Sequence, residues 1–150
     1  MIEWTEIKTQ AEAGVLLDAF GGFHDSCLRE AHLVTGNSVS SDLQMTCSTE
    51  LGNRLQFLIQ RQFKYPSAIV LEFAGVIRFN LVLAAEYSDS IISAATLLVQ
   101  EGQIFWSVQG DWSPRDANRD EVAWVAAKKL RWRAVDWLGE ELRYGPQANQ

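Results

Sequence analysis

Apolar residues near the start of the chain recur with helical spacing. Within 13–20 they fall at positions i, i+3, i+4 and i+7, which places them on one face of an α-helix. Thr9 and Glu12 precede this stripe at the spacing of a capping box, whose side chains accept hydrogen bonds from free backbone N–H groups. Gly21 and Gly22 follow it, and glycine readily adopts the left-handed conformation that ends a helix. The pattern therefore predicts a helix between Thr9 and the two glycines.

The middle of the chain instead alternates between apolar and polar positions, as half-buried β-strands do. The odd positions of 55–63 and 69–83 are almost all apolar, so we expect both stretches to be extended with these side chains buried. Gly75 lies inside the second stretch, either as a bulge in one bent strand or in a tight turn between two strands. Extended segments are also expected at 23–34 and 43–47.

A hairpin turn is predicted at Glu101-Gly102, because glycine at the second turn position suits a two-residue loop. The flanking segments then pair with their apolar residues on one face. The expected cross-strand pairs are Val99 with Ile104, Leu97 with Trp106, and Ala95 with Val108.

The last part of the chain combines a polar loop, 110–121, with a final strand, 122–133. Helical spacing from Leu130 to Leu138 adds a short helix after that strand, and 145–150 should be a frayed tail. The whole pattern predicts one α+β domain over 1–150, rich in antiparallel β-sheet, with an N-terminal helix and a short C-terminal helix. The apolar face of the final strand is expected to contain Val122, Trp124, Ala126, Leu130 and Trp132.

The formal net charge of −6 narrows the range of partners. An acidic chain disfavours nucleic acid, whose phosphates need a positive footprint, and it permits a basic protein partner. Cys27 and Cys47 are isolated thiols, which indicates a reducing compartment. The N-terminus lacks a signal-peptide pattern, and no apolar run approaches the length of a membrane span. We therefore expect a cytoplasmic protein without membrane contact, its oligomeric state left open.

The best catalytic candidate is His24 with Asp25, with Glu30 as a nearby second carboxylate. A histidine beside a carboxylate can act as a general base in a hydrolase-like site. Adjacent residues of a strand point to opposite faces, however, so the two side chains meet only if the segment kinks. The structural alternative is that Asp25 caps a turn and His24 bonds a backbone carbonyl.

The sequence predicts no metal site and no cofactor. Along one strand His24 and His32 would be ~26 Å apart at ~3.3 Å per residue, whereas zinc ligands lie ~2 Å from the ion. Cys27 and Cys47 have no CxxC partner. The phosphate-loop, dinucleotide-binding, serine-hydrolase and zinc-protease signatures are missing as well.

Two groups of residues are candidates for binding. A basic cluster surrounds Trp132, and such a mixture either binds single-stranded nucleic acid or forms the solvated face of a strand. In an acidic chain we favour the solvated face for Lys128, Lys129, Arg131 and Arg133.

The polar loop 110–121 is the second group, because long loops often carry binding function. We place the binding residues at Trp112, Arg115 and Asp116, with a plain connecting loop as the alternative. The acidic residues do not have the spacing or central glycine of an EF-hand calcium loop.

The run Phe20-Gly21-Gly22-Phe23-His24-Asp25-Ser26, followed by the strand pattern Val70-Leu71-Glu72-Phe73-Ala74-Gly75-Val76, resembles small bacterial proteins that carry a Phe-His-Asp motif. Some similar families are immunity proteins of polymorphic toxin systems. The resemblance covers roughly residues 14 to 83. It implies a bacterial cytoplasmic protein that binds another protein, and it supplies no catalytic residues.

The expected function is therefore a non-catalytic protein-interaction module, immunity-like, that inhibits a basic partner protein. Two alternatives stay open. One is a β-rich protein that binds a small ligand in a pocket, and the other is the hydrolase-like enzyme centred on His24 and Asp25. A pocket beside His24 would favour the enzyme, and a pocket far from His24 would favour the ligand-binding protein.

Overall fold

The computed structural model describes residues 3–48, 52–83 and 90–144. No helix in these ranges is long and apolar enough to cross a membrane. The predicted frayed tail, 145–150, lies outside them. The described elements are β1 (Thr5–Ile7), α1 (Gln10–Ala19), β2 (Ser26–Val34), β3 (Ser38–Val39), β4 (Met45–Thr46), β5 (Arg54–Arg61), β6 (Ala68–Asn80), β7 (Thr96–Gln100), β8 (Gln103–Ser107) and β9 (Trp124–Val135).

Seven of these strands form one antiparallel sheet, in the order β2-β5-β6-β9-β8-β7 with β1 also paired to β9. β6 lies along one side of β9 over its whole length, so β1 and β8 share the other side. β3 and β4 form a separate hairpin. The prediction of a chain rich in antiparallel sheet with an N-terminal helix is confirmed.

The helix α1 begins with the predicted cap. Thr9 Oγ1 accepts a hydrogen bond from the Glu12 N–H at 3.1 Å, and the Glu12 carboxylate accepts one from the Lys8 N–H at 3.1 Å. Ala13 and Leu16 are fully buried against the sheet. The chain then leaves the helix through two glycines with positive φ. Local spacing and capping therefore account for the whole element.

The hairpin of β7 and β8 also confirms its prediction. Glu101 and Gly102 have φ values of 52° and 76°, and a type I′ turn requires positive φ at both residues. The observed register pairs Leu97 with Trp106 and Val99 with Ile104, while the third predicted pair, Ala95 with Val108, lies beyond the strand ends.

A side chain of α1 protects the outer edge of β7. Gln10 Oε1 accepts a hydrogen bond from the Val99 N–H at 2.9 Å, and Gln10 Nε2 donates to the Leu97 carbonyl oxygen at 3.0 Å. The side-chain amide of Gln10 thus forms the pair of hydrogen bonds with the edge of β7 that a neighbouring strand would form. This contact blocks the edge pairing to which an exposed edge strand is prone.

β6 is a single strand of 13 residues that contains Gly75 at φ 63°, so Gly75 is not in a turn between two strands. The core face changes parity there, because Phe73 faces the main core from an odd position and Val76 from an even one. The register with β9 also shifts between Val76 and Arg78, which makes this a bulged strand. The predicted burial is consequently wrong at Ile77, which is 43% exposed, but Phe79 packs against the main core from an odd position after the register shift. It is also wrong at Leu81 and Leu83 beyond the end of β6 and at Phe63 beyond the end of β5, which are 47%, 67% and 61% exposed.

β9 exchanges its faces at the same level of the sheet. Val125 and Ala127 face the main core before Lys128, and Leu130 faces it afterwards. The even-numbered side chains before Lys128 pack instead with Trp112 on the opposite side of the sheet. Trp124 and Ala126 are thus buried, but on the opposite face of the sheet from Leu130 and Trp132. The prediction of one even-numbered core face is wrong for the first half of this strand and correct for Leu130 and Trp132.

The predicted short C-terminal helix is absent from residues 134–144. β9 continues to Val135, and the segment that follows is irregular. Gln60 Nε2 donates to the carbonyl oxygens of Trp137 and Gly139, both at 3.0 Å, so these carbonyls bond to β5 and not within a helix. Trp137 packs near Leu58, an even position of β5 that alternation predicts to be exposed but that is fully buried.

Candidate functional site

A gap interrupts the pairing of β9 on one side. Along β9, the pairing with β8 ends at Ala127, which lies opposite Ile104. The pairing with β1 starts at Leu130, which lies opposite Ile7. Residues 128 and 129 therefore have no strand partner on that side within the described chain. We call the change of core-facing positions at Gly75 of β6 and Lys128 of β9 the face reversal. It lies at the same level of the sheet as this gap in the pairing.

A cleft of about 790 Å³ lies at this gap, within the size range of small-molecule sites. Lys128 and Lys129 line it and are exposed, and neither forms an ion pair among the described residues. Five cationic and two anionic side chains line the cleft, which leaves an excess of three positive charges in a chain of net charge −6. The cationic side chains are those of Lys8, Arg54, Lys128, Lys129 and Arg131, and the carboxylates those of Glu6 and Glu72.

Glu72 organises one wall of the cleft from a buried position on β6. Its Oε1 accepts a hydrogen bond from Arg131 Nε at 2.8 Å and lies 3.6 Å from Arg54 Nη1, while its Oε2 accepts one from Gln56 Nε2 at 2.5 Å. The side chain of Glu72 is only 7% exposed, against 61% for Arg54 and 39% for Arg131. A buried carboxylate needs such partners, and here it orients two guanidinium groups that remain partly accessible.

Trp4 adds a second support for Arg131. The guanidinium of Arg131 lies 4.2 Å from the centre of the Trp4 ring, and that of Arg133 lies 4.6 Å from it. Such cation–π contacts hold a charged head in place without neutralising it. Arg131 is therefore fixed by an aromatic ring and a carboxylate before any ligand arrives.

Apolar residues at the bottom of the cleft belong to the main core, since Ile7, Ile104 and Leu130 are only 3%, 4% and 2% exposed. Ile7 and Ile104 flank the gap directly, since they pair with the residues on either side of the two lysines. The charged side chains of the cleft can hold an anionic group.

His24 and Asp25 lie outside this cleft, and their segment is kinked as a direct contact requires. Asp25 has φ 53°, and His24 Nε2 lies 3.2 Å from Asp25 Oδ2. His24 Nδ1 donates to the Ser93 carbonyl oxygen at 3.0 Å. Both ring nitrogens of His24 therefore lie within contact distance of an oxygen, and its side chain is 68% exposed. The contact with Ser93 is the backbone bond that the structural alternative predicts.

Glu30 is engaged away from His24. Its carboxylate accepts hydrogen bonds from the backbone N–H groups of Arg143 at 2.6 Å and Tyr144 at 3.1 Å. Burial raises the pKa of the Tyr144 hydroxyl. Glu30 thus anchors the irregular C-terminal segment to β2, which is a structural use of the carboxylate.

Of the three predicted binding residues in the loop, one is exposed, one is partly buried and one is buried. Trp112 is buried, and its Nε1 donates to the Arg119 carbonyl oxygen at 3.1 Å. Asp116 Oδ2 accepts the Ser113 N–H at 3.0 Å within the loop. Arg115 is exposed and lies 3.5 Å from Glu101. Trp112 and Asp116 therefore hold the loop together, and the binding role of all three stays a prediction.

Sequence reasoning found only part of the cleft. Lys128, Lys129 and Arg131 stood out as a basic cluster and were assigned to a solvated strand face. Glu72 was missed, although a lone acid in an otherwise apolar strand is a signal of a buried polar network. Lys8 and Arg54 carried no local signal, because only the sheet register brings them to the same cleft.

No family model, curated protein or solved structure matches this chain. The assignment of function therefore depends on the geometry of the chain itself. Within the described residues, no group of three or more His, Cys, Asp or Glu side chains is placed to hold a metal ion.

Proposed function

We propose that this chain is a binding protein that holds an anionic small molecule in the cleft between β1 and β8. The observation that carries the proposal is the excess of three positive charges in a 790 Å³ cleft of a chain whose net charge is −6. A positive cleft in an acidic protein concentrates anions locally. The position of the cleft, away from His24, supports ligand binding over hydrolase-like chemistry.

The cations of the cleft divide into a fixed group and a free group. Arg54 and Arg131 are already paired with Glu72, whereas Lys128 and Lys129 have no ion pair among the residues that the structure describes. A ligand that binds the two lysines displaces no internal partner. We therefore expect these two side chains to contribute most of the electrostatic attraction.

Thermal unfolding with pyrophosphate and with citrate tests this proposal. A ligand at ten times its dissociation constant stabilises the folded state by about 1.4 kcal/mol, which raises Tm by about 3–6 °C for a chain of this size. The titration is best done at low ionic strength, because 0.1 M salt reduces the Debye length to about 10 Å. Wild type should be stabilised by both anions.

The matched variants separate the cleft from the general charge of the protein. Lys128→Gln/Lys129→Gln removes two charges from the cleft, Lys129→Gln alone removes one, and Lys64→Gln removes one charge from an exposed position outside it. The double variant should lose most of the stabilisation, Lys129→Gln should lose part of it, and Lys64→Gln should keep it. Equal stabilisation of all three variants, or none of wild type, would contradict anion binding in the cleft.

A second proposal is that the chain binds a protein partner with a basic surface, as an immunity-like inhibitor would. Its support is the finger, residues 35–48, which contains the β3–β4 hairpin. Val39 and Met45 lie opposite each other and are 56% and 72% exposed, and Leu43 is 84% exposed. Asp42 is the sole charged residue of this segment. An exposed apolar group beside an acid suits an apolar pocket rimmed by basic side chains.

The backbone at the tip of the finger strengthens this second proposal. Leu43 has φ 69°, a conformation that leucine rarely adopts and that glycine or asparagine would adopt at lower cost. The Leu43 N–H donates to the Ser40 carbonyl oxygen at 2.9 Å, so the turn is closed. A strained residue that exposes a large apolar side chain is a candidate for recognition.

Affinity purification from the native host tests the partner. We expect one basic protein, bound in stoichiometric amount at low salt and released at high salt. Leu43→Ser/Met45→Ser should abolish its recovery, and Val15→Ser, at a residue of α1 that is 60% exposed, should not. Recovery that is equal for all three proteins would count against the finger as the docking surface. We further propose a cytoplasmic location, supported by two exposed free cysteines.

A further inference from the structure

The outer edge of β2 is an end of the sheet that the chain leaves partly open. β2 and β7 are the terminal strands of the sheet, and Gln10 bonds to the outer edge of β7. The start of β2 is covered as well, since Ser26 exchanges two backbone hydrogen bonds with Ile92. A bulge then precedes Glu30. The last four residues of β2, 31–34, are all exposed, so a further strand can pair only there.

The hydrogen bonds of β5 establish which of its residues face β2. At the two ends of β5, the Arg61 N–H donates to the Ser67 carbonyl oxygen at 2.9 Å, and the Val76 N–H donates to the Asn53 carbonyl oxygen at 3.1 Å. Odd-numbered positions thus bond towards β6, and the register with β6 contains no shift between 54 and 60. Successive residues of an antiparallel strand direct their backbone groups to opposite sides. The even-numbered positions of β5 therefore bond towards β2.

The pairing of β2 with β5 then fixes which backbone groups of β2 point outwards. Even-numbered residues of β5 lie opposite His32 and Val34, so the backbone groups of these two residues are bonded to β5. Ala31 and Leu33 alternate with them and direct their N–H and C=O groups away from the sheet. These groups have no hydrogen-bond partner among the described residues. β2 therefore presents two successive outward-facing residues to a further strand.

The exposed end of β2 also lacks the residues that keep edge strands from pairing. Its sequence is Ala-His-Leu-Val, without the Lys, Asp, Glu or Pro that protect many natural edges. Leu33 and Val34 are 50% and 51% exposed, and as neighbours in a strand they lie on opposite faces of the sheet. A paired strand would withdraw part of both side chains from water, which stabilises the pairing.

A second copy of β2 fits this edge in one register. A two-fold axis through His32 places Ala31 of each copy opposite Leu33 of the other, so outward-facing residues meet outward-facing residues. Each such pair exchanges two backbone hydrogen bonds, which gives four bonds across the two copies. The small side chain of alanine also lies opposite the large one of leucine. An axis through Ala31 would instead pair Leu33 with Arg29 in the bulge. An axis through Leu33 would pair Ala31 with Thr35, beyond the end of β2.

We infer that this chain forms a dimer in which two copies of β2 pair antiparallel about His32 and join their sheets into one. The interface is isologous, because both copies use the same edge. Association stops at two copies, since Gln10 already occupies the edge of β7 at the other end of each sheet. The short strand makes a small interface, so we expect the dimer at high micromolar concentration and the monomer on dilution. This inference does not depend on anion binding in the cleft.

Sedimentation velocity of the full chain, from low micromolar to near-millimolar concentration, tests the dimer. Wild type should pass from monomer to dimer as its concentration rises. Leu33→Pro removes the outward N–H without removing a bond to β5, and proline is tolerated on edge strands where the N–H faces outwards. This variant should stay monomeric at every concentration, with an unchanged far-UV circular dichroism spectrum.

Opposite charges at position 32 test the register. In the dimer His32 lies opposite itself, and like charges directly opposite each other in a sheet are destabilising. His32→Glu alone and His32→Lys alone should therefore be monomeric where wild type is a dimer, and an equimolar mixture should dimerise, because a carboxylate then faces an ammonium group. Val15→Glu and Val15→Lys introduce the same charges at an exposed position of α1 and should dimerise as wild type does. Position 32 is exposed, so this test holds even if Leu33→Pro does not fold.

Four results would overturn the inference. Wild type that is monomeric at every concentration would show that a second copy does not occupy this edge, even if another protein does. A folded Leu33→Pro variant that still dimerises would place the contact elsewhere on the surface. Monomeric His32 variants that do not dimerise when mixed would exclude pairing about His32. Growth beyond two copies would contradict the closed edge of β7.

Discussion

Trp106 tests the account of the core, because burial of its ring stabilises the fold whereas its unpaired N–H group destabilises it. The side chain is fully buried, opposite Leu97 on β7. Its ring centre lies 5.8 Å from that of Phe23 and 5.4 Å from that of Phe57. Its Nε1–H is buried and has no hydrogen-bond partner within the described chain. Trp106 should therefore be essential as a ring and unfavourable as an N–H donor.

Two substitutions separate these contributions. Trp106→Ala removes the ring and should reduce the free energy of unfolding by about 3–5 kcal/mol. Trp106→Phe removes two buried carbons, at about 0.8 kcal/mol each. It also removes an unpaired buried N–H, whose desolvation costs about 1–3 kcal/mol. The two effects of the phenylalanine variant nearly cancel, so its stability should lie within about 1.5 kcal/mol of wild type.

Trp124→Phe is the matched control. Trp124 is also buried, but its Nε1 donates to Asp120 Oδ1 at 3.0 Å. This substitution loses the same carbons together with a satisfied hydrogen bond, so it should destabilise the protein more than Trp106→Phe does. Urea unfolding followed by circular dichroism measures all three variants. A Trp106→Phe variant as unstable as Trp106→Ala, or less stable than Trp124→Phe, would refute this account of the core.

Three further substitutions test the sheet and its charges. Glu72→Gln leaves Arg54 and Arg131 without their carboxylate, so urea unfolding should show a loss of about 1–3 kcal/mol, while affinity for pyrophosphate rises; lower affinity would contradict the charge account. Gly75→Ala places a side chain at φ 63° and should cost about 1–2 kcal/mol; unchanged stability would mean that β6 does not need this conformation. The hydrogen bond from Trp124, with the nearby Arg78, lowers the pKa of Asp120. The ionised carboxylate therefore stabilises the fold above the unfolded-state pKa of about 3.9, and this stabilisation is lost as pH falls through the lower folded-state pKa. The stability difference between wild type and Asp120→Asn should therefore shrink below about pH 4, and a constant difference from pH 6 to pH 2 would contradict it.

The parts of the fold that sequence predicts are those whose information is local. The helix α1 follows from four apolar residues with helical spacing and from a cap at Thr9. The β7–β8 hairpin follows from a two-residue turn at Glu101-Gly102 that fixes the register on both sides. In each case the residues that decide the structure lie within a few positions of one another.

The face reversal could not be predicted in this way. Gly75 permits positive φ, but whether it marks a bulge or a turn depends on how β6 pairs with β9, more than 50 residues later. The residues of β9 that face the core change from odd to even positions at Lys128, at the level of Gly75 in the register with β6. The predicted C-terminal helix is wrong for a similar reason, since the Gln60 side chain donates hydrogen bonds to two carbonyl groups of that segment.

The cleft depends still more on tertiary structure. Lys8 follows β1, Arg54 belongs to β5 and Lys128 to β9. These residues are distant in sequence, and only the order β5-β6-β9-β1 brings them together. Sequence alone identified the basic cluster on β9, but it could not show that a gap between β1 and β8 opens beside it. His24, by contrast, attracted attention as a motif, and the structure engages both of its ring nitrogens.

The central claim is that an anion binds at the gap beside Lys128 and Lys129. Heteronuclear NMR titration of wild type with pyrophosphate tests it most directly, because each backbone amide reports its own environment. We predict saturable shifts concentrated at Gly75, Gly102, Gln103, Lys128 and Lys129, with little change at His24 or in the finger. Shifts that centre on the His24 segment, or that spread evenly over the surface without saturation, would contradict the account.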